Sequence, residues 1–147
     1  MNLDLEDERT EHKRSTGEMR EGMESIASIL NKHGHGTLYF GVRNDGEVVG
    51  QDVSDKTLRD VSQTVGNHIE LRIYPQIERL ETPDGRAYVK VTFSGGERPY
   101  ACDGRYRIRS ADEDVPLSAS ALDDMMLERA AGRDPWDGRS SGKPVST

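Results

Sequence analysis

A single cysteine, Cys102, is all the thiol chemistry this 147-residue chain offers, so no intramolecular disulfide can form. A thiolate zinc centre would have one sulfur ligand at most, and His12, His33, His35 and His68 are scattered without ligand spacing, which argues against a Cys/His metal site. Aromatic residues are scarce at 5%, and hydrophobic residues of all kinds reach only 33%. Any core must therefore be small and tightly built. No run has the length or apolarity of a signal peptide or a membrane span, so the expectation is a soluble, cytoplasmic protein without membrane association. Nucleotide loops are missing too. "GRSSGKP" is one residue short of a phosphate-binding loop and has Pro144 where the hydroxyl belongs, and "GHGTLYFG" lacks the spacing of a dinucleotide loop. No ATP site is expected.

What the chain has in abundance is charge. Charged residues make up 32%, with 27 acids against 20 Lys and Arg and a net charge of -7. That balance speaks against a uniformly basic nucleic-acid binder, while a local basic face remains compatible with phosphate. The length suits one domain, expected over residues 1–131. Residues 132–147 are rich in Gly, Pro and Ser and carry no apolar period, which reads as a tail. Its Trp136 suits either a ring folded back on the last helix or an anchor for a partner or second subunit.

Periodicity organises the rest. Met19, Met23, Ile26, Ala27 and Leu30 recur at helical spacing and stop before Gly34, giving an amphipathic helix with a glycine exit. "TLYFGV" follows as a strand, and Asn44, Asp45 and Gly46 supply hairpin-turn chemistry before a second strand, "EVVG". Ser54 caps a second helix with Leu58, Val61, Val65 and Ile69 on one face. "YPQIERLE" and "AYVKVTF" form a hairpin through "TPDGR", with Val89, Val91 and Phe93 alternating against Lys90 and Thr92. Asp103-Gly104 turns the chain into the alternating strand "RYRIRS". A last helix spans "SASALDDMMLERAA", with Leu122, Met125 and Met126 as its stripe and Gly132 at its end.

Three spaced segments carry a family resemblance: "EDERTEHKRS", "ESIASILNKHGHGTLYFGVRNDGEVVGQ" and "RPYACDGRYRIRS". Together they resemble the Schlafen AlbA-like domain across roughly residues 6 to 130. The family pattern is an N-terminal Glu-x-x-x-x-Glu-Phe-Lys strand, a helix, an Asn-x-x-Gly-Gly-x-Leu-x-x-Gly-Val-x-Asp segment and a late Tyr-x-Arg strand. Here His12 stands where an aromatic or apolar residue is usual, and "GHG" replaces the Gly-Gly pair. The fold implied is α/β of the α+β kind, a mostly antiparallel sheet of short hairpins with about three helices packed on it.

The resemblance also implies chemistry. Several Schlafen proteins are metal-dependent RNA endonucleases, and carry-over by motif gives Glu6, Glu11 and Asp45 as catalytic and metal-ligating carboxylates for Mg²⁺ or Mn²⁺. Two bland readings compete: Asp4, Glu6, Asp7, Glu8 and Glu11 as a solvated acidic run, and Asp45 as a turn residue. Arg105, Arg107 and Arg109 alternate, so they share one sheet face, offered here to a phosphate backbone with Tyr106 and Ile108 turned to the core. The competing reading pairs these arginines with Asp103, Asp112, Glu113 and Asp114. Lys13, Arg14 and Arg43 extend the same nucleic-acid-binding set. The function expected is nucleic-acid binding, RNA or single strands favoured, with metal-dependent endoribonuclease activity as its catalytic extension. The alternative is a noncatalytic regulatory or dimerisation module. Larger relatives set two such domains across a groove, and a single copy is expected to reproduce this as a homodimer.

Overall fold

The computed structural model describes residues 1–132; the expected tail beyond that point, with Trp136, lies outside the described residues. A short strand β1 (Thr10–Lys13) and a 3-10 turn (Thr16–Glu18) lead into helix α1 (Met19–His33) and strand β2 (His35–Phe40). Helix α2 (Asp55–His68) follows, then strands β3 (Ile69–Glu70), β4 (Gln76–Glu81) and β5 (Ala87–Ser94). Strands β6 (Ala101–Cys102), β7 (Arg105–Ser110) and β8 (Glu113–Pro116) precede the final helix α3 (Ala119–Gly132).

The strands form two four-stranded sheets, ordered β1-β2-β5-β4 and β3-β6-β7-β8. Pairing is antiparallel except for β1 on β2, which is parallel. The α+β class expected from the sequence is present, with the strands divided between two sheets. Helix α1 lies between them, packed on β2 and β7, with α2 alongside it. The main core joins Met23, Ile26 and Leu30 of α1 to Leu38, Phe40, Val89, Val91 and Phe93 of the first sheet and to Val61 and Val65 of α2. The helical spacing read from the sequence thus describes the buried stripes of α1 and α2.

The Gly-His-Gly corner has a steric cause. Gly34 caps α1 at φ 81, in the left-handed region that favours glycine. A Cβ on Gly36 would stand 2.6 Å from Ile29 Cγ2 and 2.8 Å from the Arg9 carbonyl, so β2 approaches α1 and β1 only because that atom is missing. His35 between them is exposed. Asn44-Asp45-Gly46 does turn the chain, but the expected strand "EVVG" reduces to two isolated bridges, Asn2 to Glu47 and Val42 to Val48. That turn instead holds the N-terminus, through Leu3 N–H to the Gly46 carbonyl at 2.8 Å. Together they cover one end of the first sheet's outer face with a small second core of Val42, Val48 and Tyr88.

One buried amide ties the layers together. Asn31, fully buried on α1, donates to the carbonyls of Tyr100 at 2.9 Å and Arg107 at 2.7 Å and accepts from Tyr100 N–H at 2.6 Å. Its donors and acceptor are all used, the condition for a polar group to sit in a core without penalty.

Candidate functional site

Register decides what each side chain of β1 can reach. Glu11 and Lys13 align with Leu38 and Phe40, and His12 aligns with Tyr39, so the two charged residues face α1 while His12 faces the opposite side. His12 is 1% exposed, packs edge-on against Tyr39 at 5.7 Å, and has no hydrogen-bond partner on either ring nitrogen. Burial accordingly lowers its pKa, against the backbone of Arg43 and Asn44 beside the ring.

Arg109 comes to Glu11 from the other sheet. Its guanidinium, fully buried, lies 2.8 Å from Glu11 Oε1 and 2.9 Å from Asp114 Oδ1. It also donates to the carbonyls of Asp7 at 3.0 Å and Thr10 at 3.1 Å. Lys13 Nζ reaches Glu11 Oε2 at 3.0 Å, and Ser25 of α1 donates to Asp114 Oδ2 at 2.7 Å. Glu6 folds back so that its Oε2 accepts the His12 N–H at 2.8 Å. Since β1 is the last strand of its sheet, this carboxylate serves a backbone donor that has no neighbouring strand. Burial first, then the hydrogen bond shared with Glu11, pushes the Glu6 carboxyl up to about 7.

The carboxylates carried over by motif therefore separate. Glu6 and Glu11 meet, but Asp45 sits in its turn, its Oδ2 3.0 Å from Arg43 Nη2 and its Oδ1 accepting from Glu47 N–H at 3.0 Å. No group of three or more His, Cys, Asp or Glu side chains among the described residues is arranged to hold a metal ion. Two cations already stand at Glu11, where a divalent ion would need free oxygens. The donor set does not fit Mg²⁺ or Mn²⁺.

The arginine strand needs correction as well. Its alternation holds, but the shared face is the inner one: Arg109 is buried, and Arg107 Nη1 pairs with Glu24 of α1 at 3.2 Å. Arg109 is thus closed to a phosphate backbone, and the pairing with Asp114 that the sequence left open is the one that forms. Lys13 and Arg43 are likewise committed, to Glu11 and Asp45. Of the six cations expected on a nucleic-acid surface, Arg14 and Arg105 are exposed, and their guanidinium groups form no ion pair among the described residues.

A different face of the molecule is uncommitted. Opposite the core side of the first sheet, register aligns Thr10, Thr37, Thr92 and Gln76 in a row across all four strands, with His35 beside Ser94 and Tyr39 beside Lys90. Part of this row floors an open cleft of about 510 Å³ lined by Asp7, Arg9, His35, Tyr74, Gln76 and Thr92. Tyr74 is 84% exposed. Arg9, Arg72 and Lys90 have no ion-pair partner among the described residues. None of these residues was singled out from the sequence as a site residue. An aromatic flanked by residues of strand pattern reads as core, and only its position on the fold shows otherwise.

A profile of the family described as Schlafen, AlbA_2 matches residues 6–118. The chain belongs to the Schlafen AlbA_2 family. The match contains every element of the fold up to the start of α3 and takes in Glu6, Glu11, Asn31 and Arg109. Among solved structures, the AlbA_2 chain is similar to the DIP2311 protein from Corynebacterium diphtheriae, with a TM-score of 0.65 at 14% identity. The superposition covers 83% of this chain and 24% of that one, so the chain spans about a quarter of the neighbour's length and the likeness is one of fold. No curated protein matches the sequence. No helix among the described residues is long and apolar enough to cross a membrane.

Proposed function

We propose that this AlbA_2 chain binds nucleic acid, single-stranded RNA above all, on the open outer face of its first sheet. The observation that carries the reading is the charge distribution. In a chain of net charge -7, about half of the Lys and Arg among the described residues are paired with acids, and of those that are not, Arg9, Arg72 and Lys90 stand beside that face. Unpaired cations bordering a hydroxyl-rich surface suit a phosphate backbone, which gains affinity by releasing condensed counterions. The role is binding, not cleavage, because the Glu6 and Glu11 carboxylates serve an edge strand and a buried arginine.

Labelled tRNA, rRNA and single-stranded DNA, incubated with the protein in Mg²⁺, in Mn²⁺ and in chelator, test this reading. The expected result is retention of intact strands, weakening as salt rises by a logarithmic slope of roughly 0.7 for each phosphate contact. Metal-dependent cleavage that Glu11→Gln abolishes would restore the endoribonuclease reading and overturn this one.

A second reading, a dimerisation module, is favoured by α3, where Leu127 is 68% and Met126 37% exposed. Apolar side chains left open side by side mark an interaction surface when they form a patch. Sedimentation across a concentration series, with and without RNA, separates a homodimer from a monomer.

A further inference from the structure

The cleft on the outer sheet face is built unevenly, and the unevenness points to a ligand with a flat apolar part and a polar edge. Ile73 is buried while its neighbours Arg72 and Tyr74 are exposed, so the segment leading into β4 is anchored by the isoleucine and presents a cation and a phenol ring to solvent. The ring has no aromatic partner, ion or hydrogen bond among the described residues, although exposing so much of a tyrosine forfeits its burial. The cleft floor beside it is hydroxyl and amide: Thr10, Thr37, Thr92, Ser94 and Gln76. Arg9 stands at the rim with its side chain unpaired, and the Asp7 carboxylate beside it spends one oxygen on the Arg9 backbone N–H at 2.8 Å.

Resting on the nucleic-acid reading above, we infer that Tyr74 is a stacking platform for one unpaired base of a single strand, with the base edge directed to Asp7 and Gln76. Every base has a π-face, so an exposed ring beside cations binds single strands with little sequence preference. Arg9 and Arg72 supply the charge that a strand's phosphates complement. The free Asp7 oxygen can only accept, so it takes an N–H donor, which the Watson–Crick edge of every base carries, in keeping with the low sequence preference. The threonine and serine hydroxyls can exchange hydrogen bonds with a ribose 2′-hydroxyl, which deoxyribose lacks. A duplex keeps its bases stacked inside and offers the ring nothing to cover.

The proposal is tested with the full chain and a short fluorescein-labelled RNA, read by fluorescence anisotropy as a single strand, as the same strand annealed to its complement, and as single-stranded DNA of the same sequence. Tyr74→Ala is expected to weaken binding of the single strand about fivefold or more, the loss of one stacked base, and to leave duplex binding unchanged. Tyr74→Phe, which keeps the ring, should restore most of the affinity. Tyr74 is exposed, so both variants should fold, and circular dichroism verifies this. RNA bound more tightly than DNA assigns the hydroxyl floor to the ribose; equal binding assigns the platform to single strands in general, and either supports it. Wild-type binding that Tyr74→Ala leaves intact overturns the platform and spares the nucleic-acid reading. A wild type that binds none of the three overturns both.

Discussion

Arg109 and Glu11 meet at 2.8 Å where strand β7 of one sheet reaches edge strand β1 of the other. The same guanidinium holds Asp114 and two backbone carbonyls of the N-terminal segment. It is the polar joint between the halves of the molecule, and its value depends on every partner staying in place.

Arg109→Met should therefore destabilise the fold by about 3–5 kcal/mol, because Asp114 would be left without its counter-ion, Glu11 with Lys13 alone, and the Asp7 and Thr10 carbonyls without a donor. Arg109→Lys should recover only part of this, since one ammonium cannot serve four acceptors in the geometry of a planar fork. Urea denaturation of the three proteins measures both effects. If Arg109 were a surface phosphate contact, stability would not move.

Glu6 makes stability depend on pH in the direction opposite to most carboxylates. Its folded pKa of about 7 lies above the ordinary 4.5, so between those values the folded chain holds a proton that the unfolded chain has released. The fold should lose stability through this group as pH rises across that window, with the loss complete above about 7. Glu6→Gln keeps an acceptor for His12 N–H and a donor for Glu11 at every pH. The stability of the variant relative to wild type should climb from pH 4.5 to about 7 and then level off, which denaturation at a series of pH values will show. A flat difference would mean that Glu6 is ionised throughout.

Asn31→Asp is nearly isosteric and should still be severe. It removes both donors from the Tyr100 and Arg107 carbonyls and sets a carboxylate against them. The cost should be about 3 kcal/mol or more, from two unsatisfied acceptors and a buried charge. Thermal unfolding near pH 7 and again at low pH, where the aspartic acid is neutral and regains one donor, should show a partial recovery relative to wild type.

Cys102 should resist thiol reagents in the native protein. It is 3% exposed, and burial pushes its thiol up to about 12, which leaves almost no thiolate at neutral or mildly alkaline pH. Labelling with a chromogenic disulfide reagent should be slow in buffer and fast in denaturant. Rapid labelling under native conditions would mean that the β6 region opens readily.

The elements themselves were legible in the sequence wherever one face is apolar. Met23, Ile26 and Leu30, or Val89, Val91 and Phe93, announce their period because burial is the only force acting on them. Polar positions were harder. Alternation shows that Arg105, Arg107 and Arg109 share a face but not which face it is, and arginine is so seldom buried that the inward choice looks wrong until its acids are known. One of those acids, Glu11, precedes it by nearly the whole domain; the other, Asp114, is only 5 residues away and was open from the sequence as a partner, but lies on β8, a strand too short and polar to announce itself. Asp45 shows the converse, since the turn chemistry read from Asn44-Asp45-Gly46 was sufficient explanation for it. Tyr74 stayed hidden because exposure is a property of the assembled sheet.

The Arg109 joint also sets an order on synthesis. Its hydrogen bond to the Asp7 carbonyl spans 102 positions, so during synthesis the carbonyls of Asp7 and Thr10 wait for this donor until β7 has been made. Helix α1 and strands β1 and β2 emerge close together and can pack early, with Lys13 at Glu11, whereas Arg109 reaches Glu11 only when the second sheet arrives. A nascent chain halted before β7 would therefore have β1 paired on β2 while the carbonyls of Asp7 and Thr10 still lacked the donor that closes the two sheets together.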